Sequence, residues 1–532
     1  MEETDTANTA TGSSGLVRSS AYVALGTLLS RITGLVRVGA LTYAVGALAL
    51  ADAYNLANTT PNIVYELLLG GVLSATLVPI FVDSFDDGDD TAVPAVFTVA
   101  TVALLALTVF AMLLAPLIFA VYDAPAGVDD AGVPLLVLFL PQMLFYGWTA
   151  LGTAVLNARR RFALPAFVPV LNNLVVCAAL IAFGLRFGKD PGLESVTDDR
   201  TGLLLLGVGT TAGIIAMTLP LFPAIRRAGV SLRWRFEPRH PAVVTVLRRG
   251  GWTLGYVAAN QLGLTVMLAV AARTTEGLPS WYTYAFIFFQ LPHGLIAVSV
   301  MTTFVPELAS AWGNGDLDRY RTRFSQGVRL VWTGVVPAMV VLASGAVPLV
   351  AGLLGRGAFG GAAEEGTAEV LATMALGLPG FSAYLFALRG FYAIGDTRTP
   401  FFTNVLENAV QVTLTIALVP SAGSPSVALG TAYAVAYTVA GAVALVLLHR
   451  RIGGILTSEL AATGIRLVIA AAAAAVAVWA VRAALPDSTE DLLEAVVVTV
   501  TGVTTFVAAG LVVGLREIRQ LADAVTGRSR TP

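Results

Sequence analysis

Long apolar runs, each about 20 residues and joined by short polar turns, set the first limit on what this chain can become. A run of that length crosses the ~30 Å hydrocarbon core of a bilayer as one α-helix. Fourteen such spans are predicted, near 19–45, 52–82, 92–119, 133–157, 163–185, 201–223, 250–272, 279–309, 326–353, 368–394, 400–420, 427–448, 461–484 and 492–515. Charged residues make up only 12% of the chain, about half the share of a soluble domain, so it is read as an all-α polytopic membrane protein.

Basic residues give the orientation. The chain has 32, and 29 of them fall in loops or tails. With the N-terminus in the cytoplasm, 23 lie inside and 6 outside, which predicts that both termini are cytoplasmic and that the protein is multi-pass in the plasma membrane. The first 14 residues are polar and read as a disordered tail without the basic region of a signal peptide. The tail after 515 is also cytoplasmic.

Two stretches echo each other at a spacing of 235: "RFALPAFVPVLNN" from Arg161 and "DTRTPFFTNVLEN" from Asp396. Each is a basic turn, a proline at a helix start and a span carrying an asparagine, Asn173 or Asn408. A fainter echo pairs Pro79 with Pro306, 227 residues apart. The echoes divide the chain into an N-lobe (15–224, spans 1–6), a basic linker (225–249), a C-lobe (250–448, spans 7–12) and spans 13–14 (449–515). Two six-helix lobes related by pseudo-symmetry suit a transporter that rocks about a central cavity.

Three basic residues fall within spans: Arg31, Arg37 and Arg389. An arginine at membrane depth costs roughly 2.5–3.5 kcal/mol or more, so it faces a cavity or a partner. Arg31 and Arg37 are about 120° apart around the helix and about 9 Å apart along it, with Gly34 between them. One reading is a fork for an anionic head group, since guanidinium matches phosphate in a bidentate way. The other is pairing with in-span acids, for which Asp52, Glu66 and Glu407 are candidates. Arg37 and Arg389 also lie close enough to span ends to snorkel.

Span 2 looks built to bend. Pro61 removes a donor that Asn55, Asn58, Thr59, Thr60 and Asn62 surround with polar groups, and Gly70 and Gly71 add a second weak point. Glu66 is read first as a partner for an arginine. Asn260 and Gln261 in span 7 either bridge helices or line a cavity. Trp281, Tyr282 and Tyr284 open span 8 and read as an interfacial belt. The seven arginines of 225–249 follow from topology, with a grip on anionic lipid heads as the alternative.

Cys177 is the sole cysteine, and His240, His293 and His449 are far apart, so no metal site or cofactor is expected. A net charge of −2 gives no electrostatic case for nucleic acid. An integral-membrane enzyme would want clustered acids, and "DSFDDGDD" at 83–90 has no partner motif. A cation–drug antiporter would favour acids over arginines inside the membrane.

Taken together, "LLSRITGLVRV", "DAYNLANTTPNIVYELLLGGVLSATLVPIF", "FQLPHGLIAVSVMTTFVPELA", "LLGRGAF" and "FYAIGDTRTP" resemble the MviN/MurJ family, the lipid II flippases of the MOP exporter superfamily. The resemblance implies movement of an undecaprenyl-pyrophosphate-linked saccharide to the outer leaflet by alternating access, without ATP. It implies a groove for the lipid tail at spans 13 and 14, and partners among membrane lipids and the cell-wall synthesis machinery. A flippase for another polyprenyl-linked oligosaccharide is the alternative. The family's head-group arginines fall on Arg31 and Arg37, and its acid early in span 2 on Asp52. Two departures stand out. Tyr65 occupies the place of a family arginine in span 2, and Phe286 and Ile287 the place of an acid–arginine pair in span 8.

Overall fold

The computed structural model describes residues 25–67, 77–188, 191–486 and 488–526. Every regular element among them is helical. Twelve helices are long and apolar enough to cross a membrane, and they coincide with spans 1, 3–9 and 11–14. Span 10 is a pair, Ala362–Ala375 and Leu378–Ala393, bent by 52°. Span 2 comprises Ala49–Leu67 and Val78–Asp86, so fourteen spans are consistent with the helices. Gly70 and Gly71 lie outside the described residues, and Pro61 sits inside the continuous helix Ala49–Leu67.

The chain divides into two compact units, Met1–Ala258 and Ala259–Pro532. Span 7 belongs to one long helix, Pro241–Thr274, that runs through the division.

Helix ends are fixed by residue type. Asp199 accepts from the backbone N–H of Thr201 and Gly202 at the start of span 6, and Ser424 caps span 12 through Val427 N–H. Arg186 lies 2.7 Å from the Asp199 carboxylate and, with those N–H donors, holds its pKa down at about 2. In the second unit, Arg329 of span 9 ion-pairs with Glu459 at the start of span 13. It also reaches Glu517 in the C-terminal helix Arg516–Thr526, at 3.3 Å. One guanidinium thus ties three elements at the same end of the bundle.

Lipid is as apolar as leucine, so close backbone approach rather than the hydrophobic effect brings helices together. Spans 10 and 12 show this. A Cβ on Gly380 would stand 2.6 Å from Thr438 Cα, and one on Gly441 would stand 2.7 Å from the Gly380 carbonyl oxygen.

Span 8 changes pitch midway. Leu278–Pro292 runs into a π-turn at His293–Ala297 before helix resumes at Val298–Gly313. Pro292 has no N–H to donate, which favours the wider turn. The His293 Nδ1 lies 2.9 Å from Ser382 Oγ in span 10 and holds the turn in place. The aromatics that open this span are core, not belt: Trp281 and Tyr282 are 6% exposed and Tyr284 is fully buried. Gly366 leaves room for the Trp281 indole, and Tyr282 stacks with Phe286 at 5.9 Å. Aromatic residues near a span end read as a belt only until a neighbouring span covers them.

Gly441→Leu should force spans 10 and 12 apart. A loss of about 1–3 kcal/mol is expected, read as a lower unfolding temperature of the purified protein in detergent. Gly464→Leu, at a glycine with open space around it, should leave the temperature unchanged.

Candidate functional site

In the first unit the polar residues of spans 1, 2, 4, 5 and 6 form connected groups. Span 1, Leu25–Val45, lies close along span 5, Ala163–Phe187. A Cβ on Gly26 would meet Ala166 at 2.9 Å, and one on Gly184 would meet the Tyr43 ring at 2.9 Å. Asn173 sits between these contacts. Its amide donates to the Ser30 carbonyl at 3.2 Å and to Thr33 Oγ1 at 3.0 Å. Thr33 in turn donates to the Leu29 carbonyl at 2.8 Å. The backbone on either side of Arg31 is therefore held by one side chain from span 5. A Cβ on Gly34 would stand 3.7 Å from the same amide, an ordinary contact distance.

Arg31 is exposed and Arg37 half-buried. Among the described residues neither makes an ion pair or hydrogen bond within its unit. No ion pair of either arginine with Asp52 or Glu66 is found among the described residues. Asp52 is 2% exposed in the first turn of Ala49–Leu67, and Glu66 is exposed near the end of that helix. The arginine helix is fastened through its backbone and Thr33, which leaves both guanidinium groups uncommitted.

Buried hydroxyl and amide groups of spans 2, 4 and 6 form the other polar group of this unit. Tyr146 donates to Asn62 Oδ1 at 3.1 Å, which leaves the Asn62 amide hydrogens free to donate elsewhere. The Tyr65 and Tyr146 rings lie 4.7 Å apart. Tyr54 is 2.9 Å from Thr210 Oγ1, and Gln142 donates to Thr211 at 3.0 Å. Chemically, this is a cationic face backed by neutral hydroxyl and amide groups. It suits an anion that carries further hydrogen-bonding groups.

The second unit repeats the asparagine arrangement with different chemistry. Asn260 Oδ1 lies 3.4 Å from the amide nitrogens of both Asn404 and Asn408. Asn408 also donates to the Asn404 carbonyl and to Glu407 Oε2, each at 2.9 Å. Asn260 thus bridges spans 7 and 11, while Gln261 beside it is 9% exposed. Asn408 follows Asn173 by 235 residues and Asn260 follows Thr33 by 227, the two spacings of the sequence echoes. The repeat is therefore a repeated inter-helix tie. Among the described residues no group of His, Cys, Asp or Glu is arranged to hold a metal ion.

Sequence reasoning singled out Arg31, Arg37, Asp52, Asn62 and Glu66 but not Tyr54 or Tyr146. A tyrosine in an apolar span carries no signal by itself, and only the fold brings these to Thr210 and Asn62. Asn173 stood out as part of a repeat; its role as the tie on span 1 needed the packing of span 5.

A helical bundle of this kind defines a multi-span membrane protein. The fold agrees: at a TM-score of 0.68 and 14% identity it matches an inward-facing multidrug resistance MATE family transporter of the MOP superfamily, over 80% of this chain and 95% of the other. A profile described as lipid II flippase MurJ matches residues 41–498, and the chain belongs to that family. A lipid II flippase MurJ from Burkholderia cenocepacia is 30% identical over 388 residues, 70% of this chain and 72% of its own. A probable lipid II flippase MurJ from Rhizobium meliloti is 29% identical over 426 residues, 78% and 77% of the two chains. A structure titled as lipid II flippase MurJ in an inward closed conformation superposes with a TM-score of 0.75 at 20% identity, covering 92% of this chain and 98% of that one.

Removing either side of the Asn173–Thr33 hydrogen bond should cost little and show coupling. In a double-mutant cycle of Asn173→Ala and Thr33→Val, a coupling of about 0.6 kcal/mol, and at most about 1.7, is expected from thermal unfolding in detergent. Additive effects would mean that the tie contributes nothing.

Proposed function

We propose that this chain moves lipid II from the inner to the outer leaflet of the plasma membrane by alternating access of its two lobes. The observation that carries the reading is the pair Arg31 and Arg37, held on a helix fastened through its backbone, with no ion pair to an acid of their own unit among the described residues. A pyrophosphate supplies the missing charge, and each guanidinium can meet it with two parallel N–H donors. Binding also removes the cost of two bare cations at membrane depth, so occupancy is favoured by the same term that makes the empty site expensive.

In this reading Asn62 presents a neutral amide to the saccharide side of the head group, backed by the buried Tyr54 and Tyr146. Asp52, Glu66, Asn260 and Gln261 complete the polar path, and Gly34, Pro61, Gly70 and Gly71 supply compliance as the lobes move. The lobes are those marked by the echoes, and spans 13 and 14 take the lipid tail. Both termini are cytoplasmic, because 23 of 29 loop and tail basic residues then lie inside. The family arginine replaced here by Tyr65, and the pair replaced by Phe286 and Ile287, shift more of the anion binding onto Arg31 and Arg37. The membrane names of its relatives and the bilayer-length helices support a transport role rather than catalysis.

Arg31→Ala should abolish the appearance of lipid II in the outer leaflet, and Arg37→Ala should reduce it at least tenfold. Lysine at either position should restore only part, since it keeps the charge and loses the fork. Full activity of Arg31→Ala would refute the head-group role. In a host depleted of its own lipid II flippase, the intact chain should restore growth. Failure despite membrane expression would assign it another polyprenyl-linked cargo.

A further inference from the structure

The segment between spans 6 and 7 carries a second feature. After the helix Leu221–Arg227 the chain runs without helix to Pro241, where the next helix begins. Val230 and Leu232 pack on the core of the first unit. Beyond a tight turn in which Arg233 N–H donates to the Ser231 carbonyl at 3.1 Å, Trp234 and Phe236 are 72% and 54% exposed. Val244 and Leu247, in the first turns of the following helix, are also exposed, at 47% and 67%.

The segment is not loose. Arg235 N–H donates to Thr98 Oγ1 of span 3 at 2.9 Å, and Val230 N–H to the Ile225 carbonyl at 3.2 Å. At the far end His240 accepts from Ala242 N–H through Nδ1 at 3.2 Å, and its Nε2 lies 3.1 Å from Thr91 Oγ1. The aromatic pair is therefore presented from a fixed backbone. Residues 225–249 carry seven arginines and one acid in sequence, and that acid, Glu237, is paired with Arg235 at 2.9 Å. At the far end Asp89 of the loop 83–90 lies 3.8 Å from His240 Nε2. Arg226, Arg227, Arg233, Arg239 and Arg248 are exposed.

We infer that residues 233–248 form an interfacial anchor that seats Trp234 and Phe236 among the acyl-chain ends of the headgroup layer and binds anionic phospholipid phosphates through the flanking arginines. Indole and phenyl rings settle at that depth, and exposed arginines there attract anionic headgroups. The charge identifies the occupant: exposed aromatic rings between the exposed Arg233 and Arg239 fit an anionic lipid surface. The leaflet, but not the chemistry, rests on the orientation proposed above. Such an anchor would hold the first lobe's tilt while the cargo moves.

The test uses the full chain in nanodiscs of phosphatidylcholine with or without phosphatidylglycerol. The difference in emission between the wild type and Trp234→Phe isolates Trp234 from the other tryptophans. That difference should be quenched by lipids brominated high on the acyl chain and shielded from aqueous acrylamide. It should shift to the blue when phosphatidylglycerol is added, and Arg233→Gln with Arg239→Gln should abolish that shift. Quenching by acrylamide without quenching by bromolipid would overturn the anchor and mark the patch as a surface for a soluble partner. Equal spectra in both lipid compositions would overturn the anionic-headgroup part. Growth complementation is read separately, so a failed cargo assignment leaves the quenching result standing.

Discussion

An arginine in hydrocarbon needs a countercharge or water, and the architecture around span 1 follows from that need. The fold does not neutralise Arg31 and Arg37 with acids of their own unit. It holds their helix by other means: a glycine against Ala166, a glycine against Tyr43, and the Asn173 amide on Ser30 and Thr33. Each contact uses backbone or a small side chain. None consumes a guanidinium donor. The cations are thus positioned but uncommitted, as an anion-binding element must be if it is to release its cargo.

The second unit shows what happens when the same tie is built without the cations. Asn408 stands where the repeat places Asn173, and Asn260 where it places Thr33. Here the amides bond to one another and to Glu407, which is fully buried. Around them the aromatic rings of spans 8, 10 and 12 pack edge to face, with Phe289 and Tyr433 centred 5.3 Å apart. One duplicated helix contact therefore supports a cationic face in one lobe and a neutral, close-packed interior in the other. The difference lies in a few side chains on span 1 and its counterpart, not in the helix arrangement.

Much of the fold was legible in the sequence because the bilayer restricts the options. Apolar length gives the spans, and the described helices coincide with them. The site was legible only where a residue breaks the apolar rule, as Arg31 and Arg37 do. Residues that obey the rule stayed hidden. Tyr54 and Tyr146 look like ordinary span residues, and Trp281, Tyr282 and Tyr284 looked interfacial although spans 10 and 12 bury them. Glu66 reads as an ion-pair partner because an acid and an arginine at membrane depth attract, and whether two side chains meet depends on helix rotation that the sequence does not carry.

The sequence by itself determined that the chain crosses a membrane many times, that it is built from two related halves, and that two cations sit inside one span. Hydrophobic length, charge asymmetry and repeat spacing are one-dimensional properties, so one dimension suffices to read them. Which side chains meet was decided by tertiary structure alone. Helix rotation and close approach at glycines such as Gly26, Gly380 and Gly441 set which face of each span meets its neighbour. Contacts of that kind depend on distances of a few ångströms between residues more than a hundred positions apart, and no local pattern encodes them.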